Sequence, residues 1–76
     1  MDDVIARALE QQECVLSDGA VRWVLMLDGR VVRSQRGNVR SESPHSTERS
    51  AREAYVAALE AALREGFAAE HRDPPR

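Results

Sequence analysis

The sequence predicts an α+β domain: a three-stranded antiparallel β-meander, a C-terminal helix packed on one face of it, and a short N-terminal helix. Two Asp-Gly pairs, Asp18-Gly19 and Asp28-Gly29, each follow a run of apolar residues. Such pairs are the strongest short-range signal for a hairpin, because both residues accept the positive φ angles that tight turns require. An alanine-rich amphipathic stretch after residue 46 predicts the C-terminal helix.

Length and composition indicate one small domain, residues 1–76, with no cofactor. A chain of this size buries only roughly 60% of its unfolded surface, and disulfides, metals or self-association are the usual aids. Cys14 is the only cysteine, and it lies far in sequence from His45 and His71, so neither a disulfide nor a metal site is predicted. An acidic N-terminus, no long apolar run and one unpaired cysteine predict a cytoplasmic protein without a membrane partner.

The first helix is predicted at residues 2–12, where aspartates suit the positive end of the helix dipole. Its apolar face consists of Val4, Ile5, Ala8 and Leu9. The predicted strands cover residues 13–17, 20–27 and 30–36. Two-residue turns at the Asp-Gly pairs would set Leu16 opposite Val21 and Leu25 opposite Val32.

This register assigns the strand residues to two faces, because side chains alternate along a strand. The core face carries Cys14, Leu16, Val21, Trp23, Leu25, Leu27 and Val32. The second face carries Val15, Arg22, Val24, Met26, Val31 and Arg33. Trp23 is interpreted as a core residue rather than as a stacking platform for a ligand. A simple two-layer domain would have a polar outer face, so the half-apolar second face is unusual.

Residues 37–46 are polar and predict a surface loop, unless Val39 prolongs the third strand past a glycine bulge. The second helix is predicted at residues 47–65, capped by Thr47 or by Ser50 with Glu53 as a capping box. Gly66 fits the C′ position. The apolar stripe of this helix is Ala51, Tyr55, Val56, Ala58, Leu59, Ala62, Leu63 and Phe67. Residues 68–76 are expected to be a frayed tail.

Three resemblances to known families accompany this pattern. The segment from Asp18-Gly19 to Ser34, with its Arg-Trp-Val-Leu and Asp-Gly-Arg-Val-Val, resembles the YegP-like family of small bacterial proteins of unknown function. That resemblance covers roughly residues 16–60 and implies a meander followed by a helix. Gly29-Arg30-Val31 and the stretch from Glu53 to Phe67 are similar to the WGR domain. The α-β-β-β-α order, with Ser50, Ala54, Ala58, Ala62 and Leu63, is similar to a double-stranded-RNA-binding domain.

Positive charge is concentrated in the middle of the chain. Residues 30–52 carry six arginines and two acids, while the whole chain has a net charge of −2. Arg30, Arg33, Arg36 and Arg40 are candidate contacts for phosphate or for an acidic protein surface. The alternative is a solvated edge strand whose charges prevent aggregation. Arg36 and Arg40 are expected to be the freest of the four.

Ser43, His45 and Ser46 give the one hint of hydrolytic chemistry. A serine nucleophile needs an oriented base and a site that stabilises the oxyanion. The loop that contains Pro44 is expected to supply neither, so we expect no enzymatic activity.

The second face is therefore the best candidate site. Either the N-terminal helix covers it in a three-layer sandwich, or both helices lie on the core face and leave it open. An open apolar patch with an arginine rim is typical of an interface, and in this register Arg22 and Arg33 have no acidic cross-strand partner.

We expect a non-catalytic protein-interaction module, a small adaptor or inhibitor of the kind that mobile genetic elements encode. It would bind a protein partner and form an isologous homodimer through the second face. The alternative is a nucleic-acid-binding module that uses residues 30–40.

Overall fold

A five-stranded antiparallel sheet with two helices forms the fold, and the computed structural model describes it within residues 3–70. The elements are α1 (Asp3–Gln11), β1 (Glu13–Ser17), β2 (Arg22–Asp28), β3 (Val31–Arg36), β4 (Val39–Pro44), α2 (Glu48–Arg64) and β5 (Ala68–Ala69). The strand order is β4-β3-β2-β1-β5. The predicted α+β class is confirmed, but the sheet has four main strands and a short fifth one instead of three.

The segment predicted as a loop at residues 37–46 contains β4. Gly37 has a φ of 61° and begins a tight turn, so Val39 pairs back onto Arg36 rather than prolonging β3 past a bulge. All six residues of β4 are exposed. Because neither side of this strand is buried, its sequence shows none of the apolar alternation by which strands are recognised.

Part of the predicted frayed tail is also ordered. Ala69 pairs with Leu16, which makes β5 the outer neighbour of β1. The backbone N–H of Glu70 then donates to the carbonyl of Val15 at 2.8 Å. Residues 71–76 of that prediction lie outside the described part of the chain.

The first hairpin has a register displaced by two residues from the predicted one. Leu16 pairs with Trp23 instead of Val21. The Asp18 carboxylate accepts the backbone N–H groups of Val21 and Ala20 at 2.8 and 2.9 Å, so the connection takes four residues instead of two. The same two hydrogen bonds lower the pKa of Asp18.

The second hairpin is displaced in the same way. Gly29, with a φ of 60°, occupies the first turn position instead of the second. Leu25 therefore pairs with Ser34 instead of Val32. Positive φ at the first position only is the type II′ pattern. Side chains alternate with a period of two, so these displacements leave every residue on its predicted face.

The core lies between the sheet and both helices, on the predicted core face. The buried apolar residues are Ala8, Cys14, Leu16, Leu25, Leu27, Val32, Ala51, Tyr55, Leu59, Ala62 and Phe67. Trp23 is half-buried and packs against this cluster, as predicted. The Trp23 ring meets the Phe67 ring edge-on, with 5.3 Å between the centroids.

Helix α2 has well-defined caps at both ends. The Thr47 hydroxyl accepts the backbone N–H of Ser50 at 3.0 Å, so Thr47 and not Ser50 is the N-cap. At the other end Gly66 has a φ of 99°. The backbone N–H of Phe67 donates to the carbonyl of Ala62 at 3.0 Å, as in a Schellman motif. This turn directs Phe67 into the core and the chain into β5.

Candidate functional site

The register brings the six predicted second-face residues onto one side of the sheet. Val15 lies directly opposite Val24, and Met26 lies opposite Arg33. Val15, Val24 and Val31 are half-buried, whereas Met26 is 37% exposed. Strand β4, which the sequence analysis missed, extends this face with Arg40, Glu42 and Pro44, because they pair with residues of β3 that point to the same side.

Neither helix covers Met26, so the three-layer alternative is wrong. Helix α1 packs against α2 and β1. The Tyr55 hydroxyl of α2 donates to the backbone carbonyl of Ala8 in α1 at 2.9 Å, and both residues are buried. This bond places the two helices together on the core face. Helix α1 only borders the second face, at a depression of about 520 Å³ beside β1 and β5.

The arginines of the second face are paired within the chain, contrary to expectation. Arg33 contacts Asp28 at 3.0 Å and Glu42 at 2.8 Å. Arg22 contacts Glu70 at 3.3 Å. Glu42 lies in strand β4, and Glu70 directly follows strand β5. Neither strand was predicted from the sequence. Asp28 reaches Arg33 because it continues β2 beside Val31 instead of forming part of the turn.

Arg36 is not free either. Its guanidinium donates to the Glu65 carboxylate at 2.9 Å and lies 4.5 Å from the centroid of the Trp23 ring. It therefore holds the end of β3 against the end of α2, on the core side of the sheet. Arg30 lies in the β2–β3 turn and Arg40 in β4. Within residues 3–70 neither Arg30 nor Arg40 makes an ion pair, so of the four candidate arginines these two are the ones that a partner could engage.

A shallow depression of about 620 Å³ lies on the second face between β2, β3 and β4. Its floor includes Val24 and Met26, and its polar border includes Gln35, Arg40 and Glu42. An apolar floor with a small number of polar groups around it is the usual composition of a binding surface. The depression thus coincides with the face that the sequence analysis selected.

His45 has two serine neighbours, which the sequence analysis did not foresee. Its Nε2 lies 3.3 Å from the Ser43 hydroxyl, and its Nδ1 lies 3.2 Å from the Ser50 hydroxyl. The expectation that this segment supplies no oriented base is therefore wrong. Ser43 lines neither of the two depressions described here. The observed role of the cluster is to join the end of β4 to the first turn of α2.

Within residues 3–70 no cluster of His, Cys, Asp and Glu side chains could hold a metal ion. In the same part of the chain no helix is long and apolar enough to cross a membrane. Comparisons with protein-family models, curated proteins and solved structures give no match to this chain. The three family resemblances therefore stay predictions.

Proposed function

We propose that this chain is a non-catalytic protein-interaction module, a small adaptor or inhibitor, that binds a protein partner through the second face. The observation that carries the proposal is that Met26 is exposed at the centre of a half-apolar sheet face that no described helix covers. Burying such a patch against an apolar side chain of a partner removes it from water, which is the main favourable term in association.

The electrostatics of the face favour a protein partner over a nucleic acid. Arg33 and Arg22 are neutralised by acids of the same chain, and Arg36 lies on the other side of the sheet. A surface that binds phosphates needs several uncompensated cations side by side, because release of counterions supplies most of the affinity. Glu42, which pairs with Arg33 at 2.8 Å, adds negative charge to this face and opposes that kind of contact.

We also place the protein in the cytoplasm. Cys14 is a free, buried thiol, and burial raises its pKa above the ordinary value, which keeps it protonated and unreactive. An unpaired cysteine of this kind suits a reducing compartment. Homodimer formation through the second face stays a prediction, and it loses one of its arguments because Arg22 and Arg33 already have partners.

Affinity capture from the native host with three versions of the chain tests the proposal. The parent and Ala57→Glu, which adds the same charge at an exposed position of α2, should retain one common protein. Met26→Glu should lose it while keeping the circular dichroism spectrum of the parent. Equal retention by all three versions would refute the proposal. So would binding to random duplex or single-stranded nucleic acid with a steep salt dependence.

A further inference from the structure

Strand β4 is a fully exposed edge of the sheet, with backbone groups that no other described strand satisfies. The order β4-β3-β2-β1-β5 leaves its outer side without a neighbour among residues 3–70. The other edge is different, since β5 is only two residues long. An open edge of six residues is a template for another strand, and proteins commonly protect such edges.

The pairing with β3 determines which backbone groups of β4 point outward. The N–H of His45 donates to the carbonyl of Arg30 at 2.7 Å, so these residues form a hydrogen-bonded pair. Hydrogen-bonded and non-hydrogen-bonded pairs alternate along an antiparallel ladder. Ser43, Ser41 and Val39 therefore direct their N–H and C=O groups toward β3. Arg40 and Glu42 direct theirs outward, where they are available to a second strand.

We propose that β4 pairs antiparallel with β4 of a second copy of this chain, about a two-fold axis at Ser41. In this register each Arg40 lies opposite the Glu42 of the other copy, and both residues present outward backbone groups to each other. Arg40, which makes no ion pair in the described chain, gains a carboxylate partner. Centring the pairing on Arg40 or on Glu42 would instead place like charges opposite each other, which destabilises a sheet.

The rest of the strand accommodates this arrangement. Pro44 belongs to a non-hydrogen-bonded pair with Val31, so its missing N–H faces the second copy and ends the new ladder there. Val39, which is 69% exposed, lies opposite Ser43 of the other copy. Helix α2 packs on β2 and β3 rather than on β4. The two β3 strands would be about 14 Å apart, at three strand spacings, which leaves room for both helices.

One consequence concerns the second face. Residues that oppose each other in an antiparallel pair point to the same side of the sheet. The two second faces therefore become one continuous surface of ten strands, with both Met26 side chains on it. The edge dimer rests on the charges and backbone groups of β4, and it does not depend on whether a partner binds at Met26.

Sedimentation equilibrium of the full chain, from micromolar to millimolar concentration, tests this dimer. The parent should dimerise. Arg40→Glu and Glu42→Arg each place like charges opposite one another and should weaken dimerisation by about tenfold or more. Arg30→Glu is the matched control, because Arg30 lies outside β4 and also makes no described ion pair; it should dimerise like the parent.

Mixing the two weakened variants gives the sharpest result. In a heterodimer of Arg40→Glu with Glu42→Arg, each acid again meets an arginine across the two-fold axis, so the mixture should regain the dimer. Arg40→Pro removes an outward N–H without removing a bond to β3, and it should give a folded monomer.

A parent that stays monomeric at millimolar concentration, or a mixture that fails to associate, would overturn the proposal. Met26→Glu separates this dimer from the face-to-face dimer expected from the sequence. It should leave the edge dimer intact, and a monomeric Met26→Glu would contradict pairing through β4.

Discussion

Tyr55 should make the protein lose stability above pH 10, and Tyr55→Phe should remove that loss. The side chain is completely buried, and its hydroxyl donates to the carbonyl of Ala8. Burial raises the pKa of Tyr55 well above its ordinary value of 10.0, with a smaller contribution from the nearby charges of Cys14 and Glu13. The folded protein therefore keeps the neutral phenol at a pH at which the unfolded chain ionises it.

The sign and size of the effect follow from proton linkage. Below pH 10 both states hold the proton, and the full stabilisation is present. Above pH 10 the unfolded state binds fewer protons, so the free energy of unfolding falls as pH rises toward the folded-state pKa. A difference of one bound proton changes the free energy of unfolding by about 1.4 kcal/mol per pH unit. The loss of stability due to Tyr55 therefore reaches about 1.4 kcal/mol one pH unit above its ordinary pKa.

The composition removes one source of interference from this measurement. All eleven basic side chains are arginine and none is lysine, so no ammonium side chain titrates in the same range. Burial raises the pKa of the Cys14 thiol above 9.0, so Cys14 also lowers stability as pH rises. Because Cys14 is present in both the parent and Tyr55→Phe, its contribution cancels to first order in their difference.

At neutral pH the substitution should lower the free energy of unfolding by about 1 kcal/mol, the usual contribution of one hydrogen bond. The loss is limited because the Ala8 carbonyl still accepts the N–H of Gln12 at 2.8 Å. Urea unfolding at several pH values should show the parent more stable at pH 7, the two proteins about equal between pH 10 and pH 11, and Tyr55→Phe slightly the more stable at pH 11. A difference that stays constant from pH 8 to pH 11 would show that Tyr55 is not a buried neutral donor.

Two further substitutions test contacts that position the sheet against α2. Gly66→Ala should lower the free energy of unfolding by about 1 kcal/mol in urea, because the φ of 99° at this position is strained for any residue with a Cβ; an unchanged midpoint would contradict the C-cap geometry. Arg36→Ala should lower it by about 0.5–1 kcal/mol through loss of the Glu65 pair and of the contact with Trp23. Arg36→Lys should recover only part of this, because an ammonium does not stack as a guanidinium does, and full recovery by lysine would show that charge alone matters.

The parts of the fold that could be predicted from the sequence depend on periodicity. The stripe through Tyr55 and Leu59 identified α2, and alternation around Trp23 identified the two faces of the sheet. Turn chemistry was harder, because an Asp-Gly pair fits more than one turn. Asp18 uses its side chain to accept backbone N–H groups, and Gly29 takes a different turn position from the predicted one. Strand β4 was not predicted because both of its sides are exposed. A strand is recognised in a sequence by the apolar alternation that burial of one side produces.

The predicted and the observed structure agree on which residues share a face of the sheet, but they differ in which residues are neighbours. Membership of a face depends only on whether positions are odd or even along a strand, and a two-residue displacement preserves it. Val15, Val24, Met26 and Val31 therefore share one face in both the predicted and the observed register. The identity of a neighbour depends on the register itself and on every strand present. Arg33 was expected to lie opposite Val24 and to be free, but the observed register and β4 give it Asp28 and Glu42. Among residues 3–70, those same two changes leave Arg40 without an ion pair beside Glu42 on an edge strand, which is the arrangement on which the proposed pairing of β4 rests.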